Sequence, residues 1–308
     1  MSNPLVYAVI LNYNGFDDCR KCINSLKKIS YDNLKIVVVD NASTDFSISE
    51  LKKTFPWLEI IVSTHNGGYA AGMNIGAVFA LKNNAQYILL MNNDIIVTEN
   101  FLEPMLRTFN ADNKIGIVSP KVGYTDKKEI IYCAGGRIDK ILCGGVSGYK
   151  GKEFSKYGNE NREITLAEGC CMLIKSEVFQ TIGFMNEKYF MYFEDVDFSL
   201  RVREKYKLFY SCESIIYHTS GAGKTWEEFG PNYNYYYTRN RLLLFKESKW
   251  PFRIYVIIFS TLNVMAKSIF LVKGIIYNKE KRNTTIKSFR ELWRGYIDGL
   301  MIYYTINN

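Results

Sequence analysis

The feature that most constrains the fold is an alternation of apolar runs of strand length with stretches of helical length over the first 120 residues. The apolar runs are Leu5–Leu11, Leu34–Val39, Leu58–Val62, Tyr87–Met91 and Ile115–Val118. The helix-like stretches are Asp17–Ile29, Asp45–Phe55, Tyr69–Leu81 and Asn100–Phe109. Short connections between such elements predict an α/β, Rossmann-like fold, in which helices cover both faces of a mostly parallel sheet.

Polar or glycine-rich segments directly follow four of these runs. They are Asn12–Gly15, Asp40–Asp45, His65–Gly72 and Asn92–Asp94. Ligands of parallel sheets bind beyond the carboxyl ends of the strands. We therefore expect the functional residues in these four segments.

The rest of the chain is less regular. Residues 123–163 contain several glycines among charged residues and predict a mobile excursion or lid. Regular structure is then expected over Ile164–Ile174, in a helix that starts near Glu194, and in short strands near Leu208–Tyr210 and Ser214–Tyr217. From Asn232 onward the chain is predicted to be helical.

The net charge of +8 is concentrated in the tail, where residues 239–308 hold 13 basic and 4 acidic residues. Such a segment needs an anionic partner, and the nearly neutral remainder of the chain argues against nucleic acid. The apolar run Ile254–Ala266 has 13 residues, too few to span a bilayer. Amphipathic helices within 250–308 predict either peripheral attachment to an anionic membrane or packing on protein, including a homodimer. The seven irregularly spaced cysteines favour a reduced, cytoplasmic setting, which places such attachment at the inner face of the cell membrane.

A cluster of carboxylates follows the apolar stretch Tyr189–Phe193. Burial beside aromatic rings raises a carboxyl pKa, which suits a general base near neutral pH, and Glu194 and Asp195 are the candidates. The alternative is an acidic helix start favoured by the helix dipole, which explains Asp197 better than the adjacent pair.

Candidate metal ligands follow the strand Tyr87–Met91. Asp94 ends the triplet Asn92-Asn93-Asp94 and is placed to hold Mg²⁺ or Mn²⁺ between two phosphates. His218, one of two histidines, is either a further ligand or a structural residue. The alternative for the triplet is an ordinary turn.

Candidate nucleotide contacts occupy two other segments. Asp40 can accept a hydrogen bond from the ring N–H of a pyrimidine, and the glycines of 66–74 let backbone N–H groups approach phosphate. The alternatives are helix caps, such as Ser43 or Asp45, and ordinary glycine turns.

In this order the motifs resemble the family 2 glycosyltransferases of the GT-A fold, and among them bacterial rhamnosyltransferases of cell-surface polysaccharide assembly. The likeness covers about residues 5–245. The matching segments are Val9–Asn14, Val38–Asp45, Asn66–Asn74, Leu90–Asp94, Gly169–Ile174, Phe190–Asp197, His218 and Tyr237–Arg241. Two departures are Asn92, where the family's DxD pattern begins with a carboxylate, and Asn186, where relatives often have Asp.

The resemblance implies a role for each matched residue. Asp40 would read the base, Asp94 would hold the metal with His218, and Asp195, beside Glu194, would deprotonate the acceptor hydroxyl. Gly169 and Cys170 would shape the acceptor side. The remaining nucleotide-sugar contacts would come from Asn12, Asn14, Ser43, Asn66, Gly68, Gly72, Asn74 and Asn93.

The resemblance further implies an inverting, metal-dependent transfer of a sugar from a nucleotide-diphosphate donor to a glycan or polyprenyl-linked glycan. The expected donor is dTDP-rhamnose, with a UDP-hexose or UDP-N-acetylhexosamine as the alternative. A GT-A catalytic domain would span residues 1–230, with a nucleotide-sugar half to about residue 120 and an acceptor half over about 121–230, and a helical region would span 231–308. A sugar nucleotidyltransferase is a second candidate class, but it usually carries a basic glycine-rich loop where this chain has Asn12–Gly15.

Overall fold

The computed structural model describes residues 3–219, 230–278 and 280–304. These residues divide into two compact units. The sheet unit is formed by residues 3–138, 145–188 and 194–219, and the helical unit by residues 139–144, 189–193 and the described residues from 230 onward.

The described residues form strands and helices in an alternating order through the first half of the chain. The strands are β1 (Val6–Asn12), β2 (Leu34–Asp40), β3 (Glu59–Val62), β4 (Tyr87–Asn92), β5 (Ile95–Val97), β6 (Ile115–Tyr124), β7 (Ile131–Ala134), β8 (Arg137–Asp139), β9 (Gly144–Val146), β10 (Arg162–Ile164), β11 (Cys171–Lys175) and β12 (Lys207–His218). The helices are α1 (Phe16–Leu26), α2 (Ser47–Thr54), α3 (Gly68–Lys82), α4 (Leu102–Phe109), α5 (Ser176–Ile182), α6 (Glu194–Val202), α7 (Pro231–Leu244), α8 (Trp250–Tyr277) and α9 (Arg282–Tyr304).

The main sheet has the order β10-β12-β6-β11-β4-β1-β2-β3. Strands β1 to β4 pair in parallel, and so do β12 and β6, which confirms the mostly parallel sheet. Strand β11 runs antiparallel between β4 and β6, an insertion that the alternation of the sequence did not predict. The region 207–218 is one strand with an irregularity between Ser211 and Ile215, not two short strands.

Helices cover both faces of this sheet because its central strands are apolar on both sides. In β1, Ala8 and Ile10 belong to a core with residues of α1, α2 and α4, whereas Val9 belongs to a second core with α3, α5 and α6. All ten residues of β6 are buried. This burial explains why the strands read as continuous apolar runs.

Strand register brings the polar strand ends to one edge of the sheet. Asn12 pairs with Asp40, Leu11 pairs with Asn92, and Met91 pairs with Cys171. The end of β12 reaches the same edge, because β5, which follows Asp94, pairs with it.

Most of the segment 123–163 differs from the predicted mobile excursion, because residues 123–138 and 145–163 are built into the sheet unit. Strand β7 pairs with β6. The buried ammonium of Lys121 donates to the carbonyls of Phe154 and Tyr157 at 2.7 and 2.8 Å and to Oδ1 of Asn159 at 2.7 Å. A buried cation that needs three fixed acceptors holds this loop in place.

The helical unit corrects a length estimate made from the sequence. Helix α8 has 28 residues, and it is the one helix in the described ranges that is long and apolar enough to cross a membrane by length and composition. The count of thirteen residues stopped at Lys267, but the helix continues past that residue. In α9, Phe289, Trp293, Tyr296 and Leu300 pack against buried residues of the helical unit, whereas Ile286 and Ile297 are exposed.

Candidate active site

The strand ends Asn12 and Asp40 form a buried hydrogen-bonded pair with Ser43. Oδ1 of Asp40 accepts from Nδ2 of Asn12 at 3.0 Å and from the Ser43 hydroxyl at 2.6 Å, and Oδ2 accepts from the Ser43 N–H at 2.8 Å. A carboxylate has about four acceptor positions, so one remains on Oδ2. Asp40 is fully buried, and its direct contact with a base stays a prediction.

Asn14 and Asn93 extend this network. Oδ1 of Asn14 accepts from the Thr44 N–H at 2.8 Å, and the Asn14 N–H donates to the Ser43 hydroxyl at 2.9 Å. Nδ2 of Asn93 donates to Oδ1 of Asn12 at 3.0 Å. Amides from the ends of β1 and β4 therefore fix the turn after β2.

The turn before α3 is held by side-chain amides. Oδ1 of Asn66 accepts from the Gly68 N–H at 3.0 Å and from Nδ2 of Asn41 at 2.9 Å. Gly68 has a φ of 83°, a left-handed conformation that favours glycine. Asn66 and Gly68 thus lie at the start of α3, next to the turn after β2.

Two predicted nucleotide contacts have other partners. Nδ2 of Asn74 donates to the Met185 carbonyl and to Oε1 of Glu187, both at 2.9 Å, and Oδ1 accepts from the Met185 N–H at 3.0 Å. A Cβ on Gly72 would lie 2.2 Å from Cδ1 of Leu11. In this structure Asn74 anchors the segment before α6, and Gly72 permits close packing of α3 on β1.

Asp94 and His218 lie side by side where β4 and β12 end. Oδ1 of Asp94 is 3.1 Å from Nε2 of His218, and Nδ2 of Asn92 is 3.4 Å from the same nitrogen. Burial raises the pKa of Asp94, but the contacts with His218 and Asn92 outweigh it, so the pKa is below its ordinary value. Asp94 is therefore an anion at neutral pH.

These two residues fit a divalent cation. Oδ1 of Asp94 and Nε2 of His218 face each other at 3.1 Å, so both atoms can contact one cation. Among those residues no cluster of three or more His, Cys, Asp or Glu is arranged for a metal. One carboxylate and one imidazole leave coordination positions for phosphate oxygens and water, as a divalent cation that binds a diphosphate needs.

Asp195 lies at the start of α6, where backbone N–H groups hold its carboxylate. Oδ2 accepts from the Gly169 N–H at 3.0 Å and Oδ1 from the Val196 N–H at 2.8 Å. Burial raises the pKa of Asp195 to about 6, although these donors oppose the rise. Asp195 is partly exposed as a residue, and a carboxylate with this pKa is a base near neutral pH.

Glu194 is more deeply buried than Asp195, and its Oε2 has no hydrogen-bond partner in the described ranges. Burial and the neighbouring Asp195 raise the pKa of Glu194 well above its ordinary value. Asp195, whose carboxylate accepts from two backbone N–H groups, is therefore the better placed of the two as a base.

Cys170 lies near both the metal-site residue Asp94 and the candidate base Asp195. Burial raises the pKa of its thiol, and the negative fields of Glu168, Asp94 and Asp195 raise it further. The N–H of Asn92 donates to the Cys170 carbonyl at 3.0 Å. Asp94 and Asp195 thus lie within electrostatic range of one side chain, on the same edge of the sheet.

Three residues in this region were not singled out from the sequence. The Tyr132 ring contacts the His218 ring edge-on at 4.7 Å between centroids, and burial, Glu168 and Asp195 raise the pKa of its phenol. The Tyr69 hydroxyl donates to the Gly169 carbonyl. Tyr132 lies in the segment that the sequence predicted to be a lid. Its place between two buried residues of β7 was the signal that could have identified it. Glu168, the third residue, directly precedes the predicted Gly169.

The order of the strands and the carboxylates at one edge define the class of protein as a GT-A glycosyltransferase. A mannosyltransferase from Pyrobaculum calidifontis, solved with GDP-Man and Mn²⁺, aligns over 97% of this chain and 88% of its own, with a TM-score of 0.59 and 13% identity. At that identity the likeness establishes the fold. The chain belongs to glycosyl transferase family 2, whose sequence model matches residues 7–183.

Two curated relatives share most of their length with this chain. The low-salt glycan biosynthesis hexosyltransferase Agl10 of Haloferax volcanii is 25% identical over 278 residues, 88% of this chain and 85% of its own. The dTDP-rhamnosyl transferase RfbF of Shigella flexneri is 24% identical over 305 residues, 95% of this chain and 98% of its own. Family membership confirms the expected glycosyltransferase and decides against a sugar nucleotidyltransferase.

Proposed function

We propose that this glycosyltransferase inverts the anomeric configuration of the sugar it transfers, with Asp195 as the base. The observation that carries the proposal is that Asp195, a partly exposed residue whose pKa is raised by burial, lies on the same edge of the sheet as the Asp94–His218 pair. The acceptor oxygen attacks one side of the anomeric carbon and needs a base there. The diphosphate leaves from the other side, where a cation stabilises it.

In the proposed reaction, Asp195 accepts the proton of the acceptor hydroxyl as its oxygen attacks the anomeric carbon. The N–H groups of Gly169 and Val196 orient the carboxylate. The Tyr69 hydroxyl donates to the Gly169 carbonyl, so the residue whose N–H positions the base is itself held in place. Such positioned base catalysis contributes about 10²–10⁴-fold.

Asp94 and His218 would hold Mg²⁺ or Mn²⁺ against the donor diphosphate. When bound, the cation neutralises the charge that develops on the leaving group. Asn92 orients the imidazole through its amide. The network of Asn12, Asn14, Ser43 and Asn93 would shape the nucleoside side of the site.

The proposed donor is dTDP-rhamnose and the acceptor a hydroxyl of a glycan or polyprenyl-linked glycan. The likeness to RfbF along nearly the whole chain supports this choice. A UDP-hexose is the second candidate, which the hexosyltransferase Agl10 supports. Both nucleotides present the same ring N–H, so the base alone does not separate them.

A panel of nucleotide sugars with Mn²⁺ tests the donor. A ligand at about 100 times its Kd stabilises the fold by about 2.7 kcal/mol, so dTDP-rhamnose should raise the melting temperature more than UDP-glucose, UDP-N-acetylglucosamine or GDP-mannose. NMR of the product should show an inverted anomeric carbon. Stabilisation by GDP-mannose alone, or retention of configuration, would contradict the proposal.

We also propose that the helical unit attaches the enzyme to the cytoplasmic face of an anionic membrane. Seven exposed apolar side chains on α8 follow one another at intervals of three or four residues. They are Ile254, Ile258, Leu262, Met265, Ile269, Val272 and Ile276. Their spacing of three or four residues forms one stripe, and the tail around it carries most of the basic excess.

Flotation with phosphatidylglycerol vesicles tests this attachment, with Leu262→Glu and Ile269→Glu as the variants. The intact chain should float, and both variants should stay in solution as monomers. If the intact chain instead forms a dimer that these substitutions dissociate, the stripe is a protein interface and membrane attachment is wrong.

A further inference from the structure

The packed face of α8 contains a lysine where an apolar residue is expected. Val256, Ser260, Val264 and Leu271 are buried on this face, and Lys267 shares their helical spacing. The Lys267 ammonium lies 5.2 Å from the centre of the Tyr233 ring and 5.4 Å from that of Tyr237, both on α7. A cation is therefore enclosed by aromatic rings inside the helical unit.

A second cation lies beside the first. Arg241 of α7 is 6% exposed. Its guanidinium packs over Tyr237 at 5.1 Å and Phe259 at 5.2 Å, and its Nε is buried without a hydrogen-bond partner in the described residues. The described ranges contain no ion pair to Arg241 or Lys267, whereas buried charges in proteins are normally paired.

The two cations repel each other. Burial and the charge of Arg241 together lower the pKa of Lys267 to about 8. The hydroxyl of Ser260, on the same face of α8, is also buried without a partner in the part of the chain that the structure describes. Two cations and a hydroxyl without partners among the described residues are complementary to an anion.

We propose that Arg241, Lys267 and Ser260 form a binding site for a phosphate-type anion in the helical unit. A diphosphate suits it best, because two fixed positive charges and a hydroxyl donor match its charge and its several acceptor oxygens. Resting on the proposed function, we assign the site to the diphosphate of an isoprenoid-linked acceptor. The donor's phosphates belong to the separate Asp94–His218 site.

Calorimetry of the full chain in excess EDTA tests the site without the metal-dependent donor. The probes are farnesyl diphosphate, inorganic diphosphate, farnesol and phosphatidylglycerol vesicles. Lys267→Met should weaken farnesyl diphosphate and inorganic diphosphate about tenfold or more, since a charge-assisted hydrogen bond is lost. The matched control Lys273→Met, an exposed lysine on the same helix, should change neither.

Protonation of Lys267 provides a second readout. Arg241, Tyr233 and Tyr237 are the charged or titratable groups of α7 that face it. One pH unit above a pKa of about 8, about a tenth of the lysines is protonated, so farnesyl diphosphate affinity should fall about tenfold from pH 7 to pH 9. Lys267→Arg should retain binding and flatten this dependence.

The outcomes separate the possible occupants and the two proposals. Equal farnesyl diphosphate affinity in wild type and Lys267→Met overturns the site, and so does farnesol binding as tightly as its diphosphate. Loss of vesicle binding alone identifies a lipid headgroup instead and overturns the acceptor assignment. UDP binding with Mn²⁺ should be unchanged in Lys267→Met, because the donor site is separate. Donor binding therefore tests the proposed function, and diphosphate binding in EDTA tests this site alone.

Discussion

Replacement of Asp195 by asparagine should abolish transfer while stabilising the fold. A pKa raised from 3.8 to about 6 means that folding disfavours the charged carboxylate by about 3 kcal/mol. An amide of the same shape removes this charge but mismatches one of the two N–H donors, Gly169 or Val196, at a cost of about 1 kcal/mol. Asp195→Asn should therefore raise the free energy of unfolding at pH 7.5 by roughly 2 kcal/mol.

The same pKa sets the pH dependence. The stability that Asp195 contributes is complete below 3.8 and is lost as the pH rises through about 6, so the advantage of Asp195→Asn should grow over that range. Turnover in the wild type should rise through pH 6 to a plateau, because the base must be ionised. The variant should lose about 10²–10⁴-fold in turnover with donor affinity retained.

Urea unfolding and a transfer assay across pH 5–8 measure both effects. Asp197→Asn is the matched control, because Asp197 lies on the same helix but pairs with Arg201 at 2.9 Å. The control should keep its turnover and the rise of that turnover through pH 6. The role of Asp195 would be refuted if the Asp195→Asn enzyme were markedly destabilised. It would also be refuted if the turnover of this variant still rose through pH 6.

Three further outcomes are expected. Asp94→Asn should remove the response of turnover to Mn²⁺ after chelation, and a chelated wild-type enzyme at full activity would contradict this. Gly72→Ala should destabilise the fold by about 1–3 kcal/mol in urea, because its Cβ would overlap Leu11, whereas Gly230→Ala, with nothing within 4 Å, should be nearly neutral. Ser43→Ala should weaken nucleotide binding in calorimetry by leaving the Asp40 carboxylate underbonded; unchanged affinity would place this turn away from the nucleotide.

Much of the fold could be predicted because apolar runs such as Val37–Val39 have one structural solution, a strand buried on both faces. The convergence of Asn12, Asp40 and Asn92 also followed from topology, since parallel strands end at one edge. The position of strand β11 in the sheet could not be predicted from topology, because its apolar sequence does not show whether the strand runs parallel or antiparallel to its neighbours.

The site was less predictable where a residue's partner lies far along the chain. Asn74 reads as a polar residue after a glycine-rich turn, yet its amide binds Met185, more than a hundred residues away. Gly72 reads as a phosphate-loop glycine, yet it is required by the Leu11 side chain. Local sequence gives residue type and spacing, whereas packing decides which way the side chain points.

The central claim is that Asp94 and Asp195 serve one reaction from two sides. The most direct test is a crystal structure with Mn²⁺ and a nucleoside diphosphate, located by the anomalous signal of manganese. We expect manganese on Asp94 and His218, with the Asp195 carboxylate facing the space beyond the diphosphate. Manganese bound elsewhere, or an Asp195 carboxylate with no open path from that space, would contradict the account.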